Sequence, residues 1–261
     1  MRKEKSVVLS LIIFLALLAP PVFADEGISL TPYRATYAFH YRGFKAGLIH
    51  FTLSAQAENT YTYTTRVEPG LLARLVVNPD AVEQTVLQID DNGVRPLSWT
   101  SEDGKASRDK DGRLLFDWAA QRVSGTVEGQ TVTLPTRPDL QNRLSMQIAV
   151  LFALLQDKLP APITLIDGNR VKLYSYAYQK ELQLDTAAGR FDVVLYESTR
   201  QGSSRLKRIY HAPALGYLPV RLETLRKGKR DSVLELVSLS PAEGPGLVPV
   251  EPNRNTGSTQ N

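Results

Sequence analysis

Apolar and polar residues alternate with a period of two along most of this chain. Tyr37, Phe39 and Tyr41 alternate with Ala38 and His40, Ile49, Phe51 and Leu53 with His50 and Thr52, and Tyr174, Tyr176 and Tyr178 with Ser175 and Ala177. That period predicts strands that turn one face to a core. Turn residues punctuate the runs at short intervals, among them Asp91-Asn92-Gly93, Glu102-Asp103-Gly104, Glu128-Gly129, Ala188-Gly189 and Lys227-Gly228. Such spacing joins the strands as sequential hairpins into an antiparallel meander. About a dozen strands exceed what a flat open sheet tolerates, so the sheet is expected to curl into a barrel, a roll or two packed layers.

One segment departs from this period. From Leu140 onward the apolar residues fall at Leu144, Ile148, Leu151, Phe152 and Leu155, the stripe of a helix, with Asp139 or Asn142 placed to cap it. Every residue between Ile148 and Leu155 is apolar. A helix apolar all round must face protein on most sides, and the curled sheet is the partner large enough to surround it. A shorter helical turn is expected over residues 70–77, stopped by Asn78-Pro79. The expected fold class is mainly β: a single curled antiparallel sheet, an open barrel or β-roll, wrapped around one central α-helix.

The first 24 residues read as a secretory signal: basic Arg2, Lys3 and Lys5, an apolar run from Val7 to Leu18, and Val22-Phe23-Ala24 with small residues at the cleavage-reading positions. Cleavage after Ala24 is expected, with the periplasm as destination. Pro20-Pro21 interrupts the apolar run short of spanning length, and no transmembrane span is expected in the mature chain. Residues 25–240 form one β-rich domain in this reading. Residues 241–261, with four Pro and three Gly, form a disordered tail.

Composition narrows the chemistry. The absence of Cys excludes a thiol nucleophile, a CxxC redox pair, a Cys-ligated metal, disulfides and a lipidated N-terminal Cys. Loss of the signal removes three of 31 basic residues and one of 27 acidic ones, leaving 28 against 26. A chain so nearly balanced gives no reason to expect a nucleic-acid partner, despite a pI of 9.2.

No catalytic residue is assigned and no cofactor is expected. Ser107 with Lys110 and Ser204 with Lys207 match S-x-x-K, but neither serine opens a helix, which that chemistry requires. Ser107, Asp109, Asp111 and Gly112 imitate the start of an EF-hand loop whose twelfth position falls on Trp118. His40 and His50 are the candidate metal ligands. They would lie across from each other if their strands pair with apolar rows on one face, but zinc wants a third ligand and His211 has no evident place beside them. A solvent-side cross-strand pair fits those two residues better. Arg226, Lys227, Lys229 and Arg230 crowd one hairpin and suit a polyanion, although a solvated hairpin edge explains the same charges.

The stretches Gln141-Asn142-Arg143-Leu144-Ser145, Asp185-Thr186-Ala187-Ala188-Gly189-Arg190-Phe191 and Gly216-Tyr217-Leu218-Pro219-Val220-Arg221-Leu222, with Tyr41-Arg42-Gly43-Phe44-Lys45-Ala46-Gly47 upstream, resemble a family of exported bacterial proteins classed as a domain of unknown function. The likeness runs over about residues 32–240. Its motifs are turn and cap signals, so the resemblance implies a fold and carries over no catalytic residue. The family pattern has an acid where Asn142 stands; Asn caps a helix as well as Asp does, which favours a capping role there.

The leading expectation is a non-enzymatic periplasmic binding or envelope-maintenance protein. A lipid-like or hydrophobic ligand would sit in an apolar pocket between sheet and helix, formed by Leu144, Ile148, Leu151, Phe152, Leu155, Phe39 and Phe51. The alternatives are an envelope hydrolase of glycan or peptide, which requires two acids or a His–acid pair within reach, and a scaffold docking to another envelope protein through the basic hairpin.

Overall fold

The structure, a computed structural model, describes residues 30–57, 59–71, 73–75, 78–168 and 170–242. The expected signal and all but the first two residues of the expected tail lie outside the described residues. The strands are β1 (Tyr33–Tyr41), β2 (Phe44–Ala57), β3 (Thr60–Pro69), β4 (Val82–Asp90), β5 (Gly93–Glu102), β6 (Gly112–Asp117), β7 (Arg122–Val127), β8 (Gln130–Pro135) and β9 (Leu140–Gln141). The helix α1 (Ser145–Leu155) follows, then β10 (Ile163–Asp167), β11 (Arg170–Thr186), β12 (Gly189–Arg200), β13 (Arg205–Ala212), β14 (Leu218–Arg226) and β15 (Lys229–Pro241).

All fifteen strands belong to one sheet, in the order β8-β7-β6-β5-β4-β3-β2-β1-β15-β14-β13-β12-β11-β10-β9. The meander read from the sequence is therefore present, with β1 and β15 paired antiparallel to join its two halves. Only β9 is parallel to its neighbour, β10. Two-residue turns close the tight hairpins: Arg42-Gly43 between β1 and β2, and Lys227-Gly228 between β14 and β15, with all four residues at positive φ. Strands approach closely at Gly125, where a Cβ would lie 1.9 Å from the Arg113 carbonyl oxygen of β6; no other residue fits there.

The sheet wraps around α1. Leu144, Ile148, Leu151 and Phe152 pack against Tyr33, Ala35 and Tyr37 of β1, Leu53 of β2 and Leu236 of β15. Met146, Val150 and Leu154 pack on the other side, against Ile163 and Leu165 of β10 and Tyr196 of β12. Each fully buried side chain of this size contributes about 1.5–3 kcal/mol, and Gln147 is the one exposed residue of the helix. A third cluster joins Trp99, Leu114, Phe116, Val123 and Val132 of β5–β8 to Leu140 and Ile166. The far hairpins thus meet β9 and β10 through side chains, and the sheet curls nearly closed with no backbone pairing between β8 and β9 among the described residues.

The start of the helix differs from expectation. Leu140 and Gln141 are not helical: they form β9, because their backbone pairs with Thr164 and Leu165. Asp139 takes the Thr164 hydroxyl as donor instead of capping α1. Asn142 is the cap: its Oδ1 accepts the N–H groups of Leu144 and Ser145, both at 3.0 Å, and the Ser145 hydroxyl accepts the Asn142 N–H at 2.9 Å. Such reciprocity satisfies donors that the first helical turn leaves free. In the segment 70–77 the described residues show a single 3₁₀ turn, Ala73–Leu75.

Candidate functional site

The helix fills one part of the barrel interior and leaves another part uncovered. On the inner face, strand register aligns Ile209, Leu222, Leu234 and Phe39 across β13, β14, β15 and β1. The next row holds Leu236, Tyr37, Ile49 and Val67. At the level of α1 the inner residues Tyr33, Ala35 and Leu53 are buried, whereas Phe39, Ile49, Phe51, Val67, Leu222 and Leu234 are only half-buried. These six apolar side chains line a mouth, in which Phe51, Leu222 and Leu234 reach the helix residues Ile148 and Leu151 and Phe39, Ile49 and Val67 lie farther out.

A cleft leads from this mouth toward α1, walled by Tyr33, Tyr37, Phe51 and Tyr63 of the sheet and Ile148 and Leu151 of the helix, and it encloses about 40 Å³. That is room for a few water molecules, not for a chain. The space for an apolar ligand is thus the mouth, with the cleft as its floor. The walls are aromatic: Phe51 stacks on Tyr63 at 5.7 Å and meets Tyr37 edge-on at 5.6 Å. Burial pushes the Tyr33 phenol up to about 12 and raises Tyr37 and Tyr63 well above the ordinary range. All three therefore remain neutral donors. The Tyr37 hydroxyl donates to the Pro219 carbonyl at 2.7 Å, and Tyr63 donates to Gln147 Oε1 at 3.4 Å.

Of the pocket residues named from the sequence, Phe51, Ile148 and Leu151 line the cleft and Phe39 lies in the mouth. Leu144 and Phe152 are buried in the core, and half-buried Leu155 packs toward Gly216. As pocket residues, sequence reasoning missed Tyr33, Tyr37, Ile49, Tyr63, Val67, Leu222 and Leu234. Period two carried the signal for them, but their convergence depends on which strands pair.

The histidines are not arranged as the sequence suggested. A register shift between Phe39 and His40 puts His40 opposite Lys45, while His50 lies opposite Thr36; His40 and His50 thus stand four positions apart along β1 and form no pair. His50 Nδ1 meets Thr36 Oγ1 at 3.1 Å and its Nε2 faces Glu68 Oε2 at 3.3 Å. That hydroxyl–imidazole–carboxylate row resembles a catalytic relay in its parts. It stands on an outer sheet face with His50 and Glu68 37% and 62% exposed, whereas a relay acts on a substrate held in a pocket beside oxyanion donors. A cross-strand polar ladder describes it. His211 lies apart from both, buried on β13; its Nδ1–H donates to the Tyr217 carbonyl at 2.7 Å and its Nε2 has no partner. No group of three or more potential metal ligands occurs among the described residues.

Arg226, Lys227, Lys229 and Arg230 sit together at the exposed tip of the β14–β15 hairpin. Nearby cations are engaged: Arg208 of β13 with Glu197 at 2.9 Å, and Arg221 of β14 with Glu235 at 2.6 Å.

Among solved structures, the chain is similar to the β-barrel-like protein of domain of unknown function DUF1849 from Brucella abortus. That match has 14% identity, covers 83% of this chain and all of that one, and has a TM-score of 0.51. A weaker likeness is to the MucA/MucB complex of Pseudomonas aeruginosa, at 12% identity over 82% of this chain and 54% of that one, with a TM-score of 0.37. No curated protein matches the sequence. The model of one family, described as a protein of unknown function (DUF3108), matches residues 33–235, a span from the first strand to the middle of the last, and the chain belongs to that family.

Proposed function

We propose that this is a non-enzymatic binding protein of the bacterial cell envelope, which holds the apolar part of a lipid-like ligand in the mouth of its barrel. What carries this is the row of half-buried apolar side chains from Phe39 to Leu234 that the helix does not fully cover. Inner-face residues of a finished core are buried, and a contiguous apolar surface left open marks a binding groove. An acyl chain laid along this row would end against the aromatic floor of the cleft, where the Tyr37 and Tyr63 hydroxyls are neutral and already donate to Pro219 and Gln147, so no charge needs desolvation. The signal-like residues 1–24 support the envelope as the place of action.

Organic extraction of gently purified protein, followed by mass spectrometry, tests the proposal, together with titration of a fluorescent fatty acid. A stoichiometric acyl lipid, or saturable binding that Leu234→Glu weakens at least tenfold with an unchanged circular dichroism spectrum, is expected. Extracts without lipid, combined with no fatty-acid binding, sink it.

A further inference from the structure

Cations cluster at one pole of the barrel. The tips of the β1–β2 and β14–β15 hairpins lie side by side there, tied by the Arg42 N–H donating to the Asp231 carbonyl at 2.8 Å. The start of β13 adjoins them through the Arg205–Arg226 pairing. Arg42 pairs with Asp231 at 3.5 Å and Arg230 with Glu223 at 3.4 Å. Lys45, Arg205, Arg226, Lys227 and Lys229 are exposed and form no ion pair with any described residue.

A merely solvated edge would carry such charges alone. Here Phe44 and Leu71 stand among them, 79% and 84% exposed, with Tyr41 at 45% beneath the Arg42 guanidinium. The Gly70 N–H donates to the Ala46 carbonyl at 2.8 Å, which holds Leu71 beside the strand that begins at Phe44. Apolar side chains interleaved with Lys and Arg at neighbouring hairpin tips match a headgroup layer, where cations meet phosphates and rings reach the acyl boundary. An acidic protein would explain the cations but not the bare Phe and Leu. On the outer face just behind the tips, a hollow of about 210 Å³ is lined by His40, Arg42, Arg221 and Arg230 together with Asp231 and Glu235. The Arg221 Nε within it makes no hydrogen bond.

We propose that this pole docks the protein on an anionic phospholipid surface, with the rim cations on lipid phosphates and Phe44 and Leu71 inserted between headgroups. The docking surface is distinct from the apolar mouth, so either function can fail without the other. The test is sedimentation of the purified protein with vesicles of phosphatidylcholine, alone or mixed with phosphatidylglycerol, at low salt and at about 1 M salt, where the Debye length shrinks to about 3 Å. One variant combines Arg226→Glu, Lys227→Glu and Lys229→Glu; Glu128 already occupies the left-handed turn position that Lys227 holds, at φ 50° against 51°. The other combines Phe44→Ser and Leu71→Ser.

Binding confined to phosphatidylglycerol vesicles is expected. The charge reversal should weaken it by at least about 100-fold, since each cation at an anionic surface strengthens association several-fold. The serine pair should reduce binding about tenfold at low salt, and about 1 M salt should abolish the binding of the unaltered protein. Equal binding to both vesicle types, or binding that survives charge reversal, overturns the proposal. So does the absence of vesicle binding, which would leave an acidic protein as the partner of the rim. Lipid recovered by extraction from a protein that ignores vesicles would remove the docking surface and leave the mouth's ligand standing.

Discussion

His211 shows how one side chain sets the response of this fold to acid. Its imidazole is 2% exposed, and burial lowers its pKa from 6.5 to about 4 against the smaller opposing effect of the hydrogen bond to Tyr217. The carbonyl of Tyr217 can only accept, so Nδ1 carries the proton and Nε2 is a bare acceptor among apolar neighbours, with the Tyr196 ring 5.9 Å away. The native state therefore holds the neutral form, and its contribution is complete above pH 6.5. It is lost as pH falls from 6.5 toward 4, where only the unfolded chain takes up the proton, a loss of about 3 kcal/mol. Urea midpoints measured from pH 7 to pH 4 should fall accordingly, and His211→Gln should flatten that dependence. Residue type predicted none of this, because a lone histidine on a strand does not disclose which face it occupies.

At the scale of elements, the join between helix and sheet depends on Asn142 more than on the apolar stripe that made α1 visible. Besides capping the first turn, its Nδ2 donates to Thr85 Oγ1 at 2.8 Å, and that hydroxyl donates to the Ser98 carbonyl at 2.7 Å. Gln141 adds a bond to the Val94 carbonyl at 2.7 Å, so the helix start is pinned to β4 and β5. Asn142→Ala removes the cap and strands buried donors, and should cost roughly 2–4 kcal/mol, read as a lowered melting temperature. Asn142→Asp keeps the cap oxygen and should cost less. The helix, most hairpins and the capping asparagine were legible because each is written in residues close in sequence. The bulge between Phe39 and His40 was not: it depends on how β1 fits β2, where Ala46 is the extra residue, and it changes which residues of the two strands lie opposite each other near the turn. The two-residue strand β9 was hidden for a similar reason, since its partner β10 lies beyond the helix.

The whole molecule is completed by contacts between its ends. β1 pairs with β15 along its full length, from Tyr33 opposite Pro241 to Tyr41 opposite Ser232. The core residues Tyr37 and Leu236 meet only when the last strand arrives. Pairings of such sequence separation fold slowly. A chain ending at residue 228 would leave β1 with an open edge and half the barrel interior exposed, and it should accumulate in the insoluble fraction on expression while the full chain remains soluble. The mouth itself could not be assembled from the sequence, because its rows combine residues more than 150 positions apart.

The adjacency of β1 and β15 also changes how the order of the chain is understood. The Ala242 N–H reaches the Pro32 carbonyl at 3.4 Å, so a short peptide would bridge the two ends of the domain, while β8 and β9, the borders of the sheet among the described residues, flank residues 136–139. Ligating the ends and opening the backbone at that connection would produce a polypeptide that runs β9 through β15 and on through β1 to β8, its strands following one another in space as they do in sequence. The natural strand order is in this sense a rotated version of one that follows the sheet from edge to edge, with the first and last strands in the middle of the sheet.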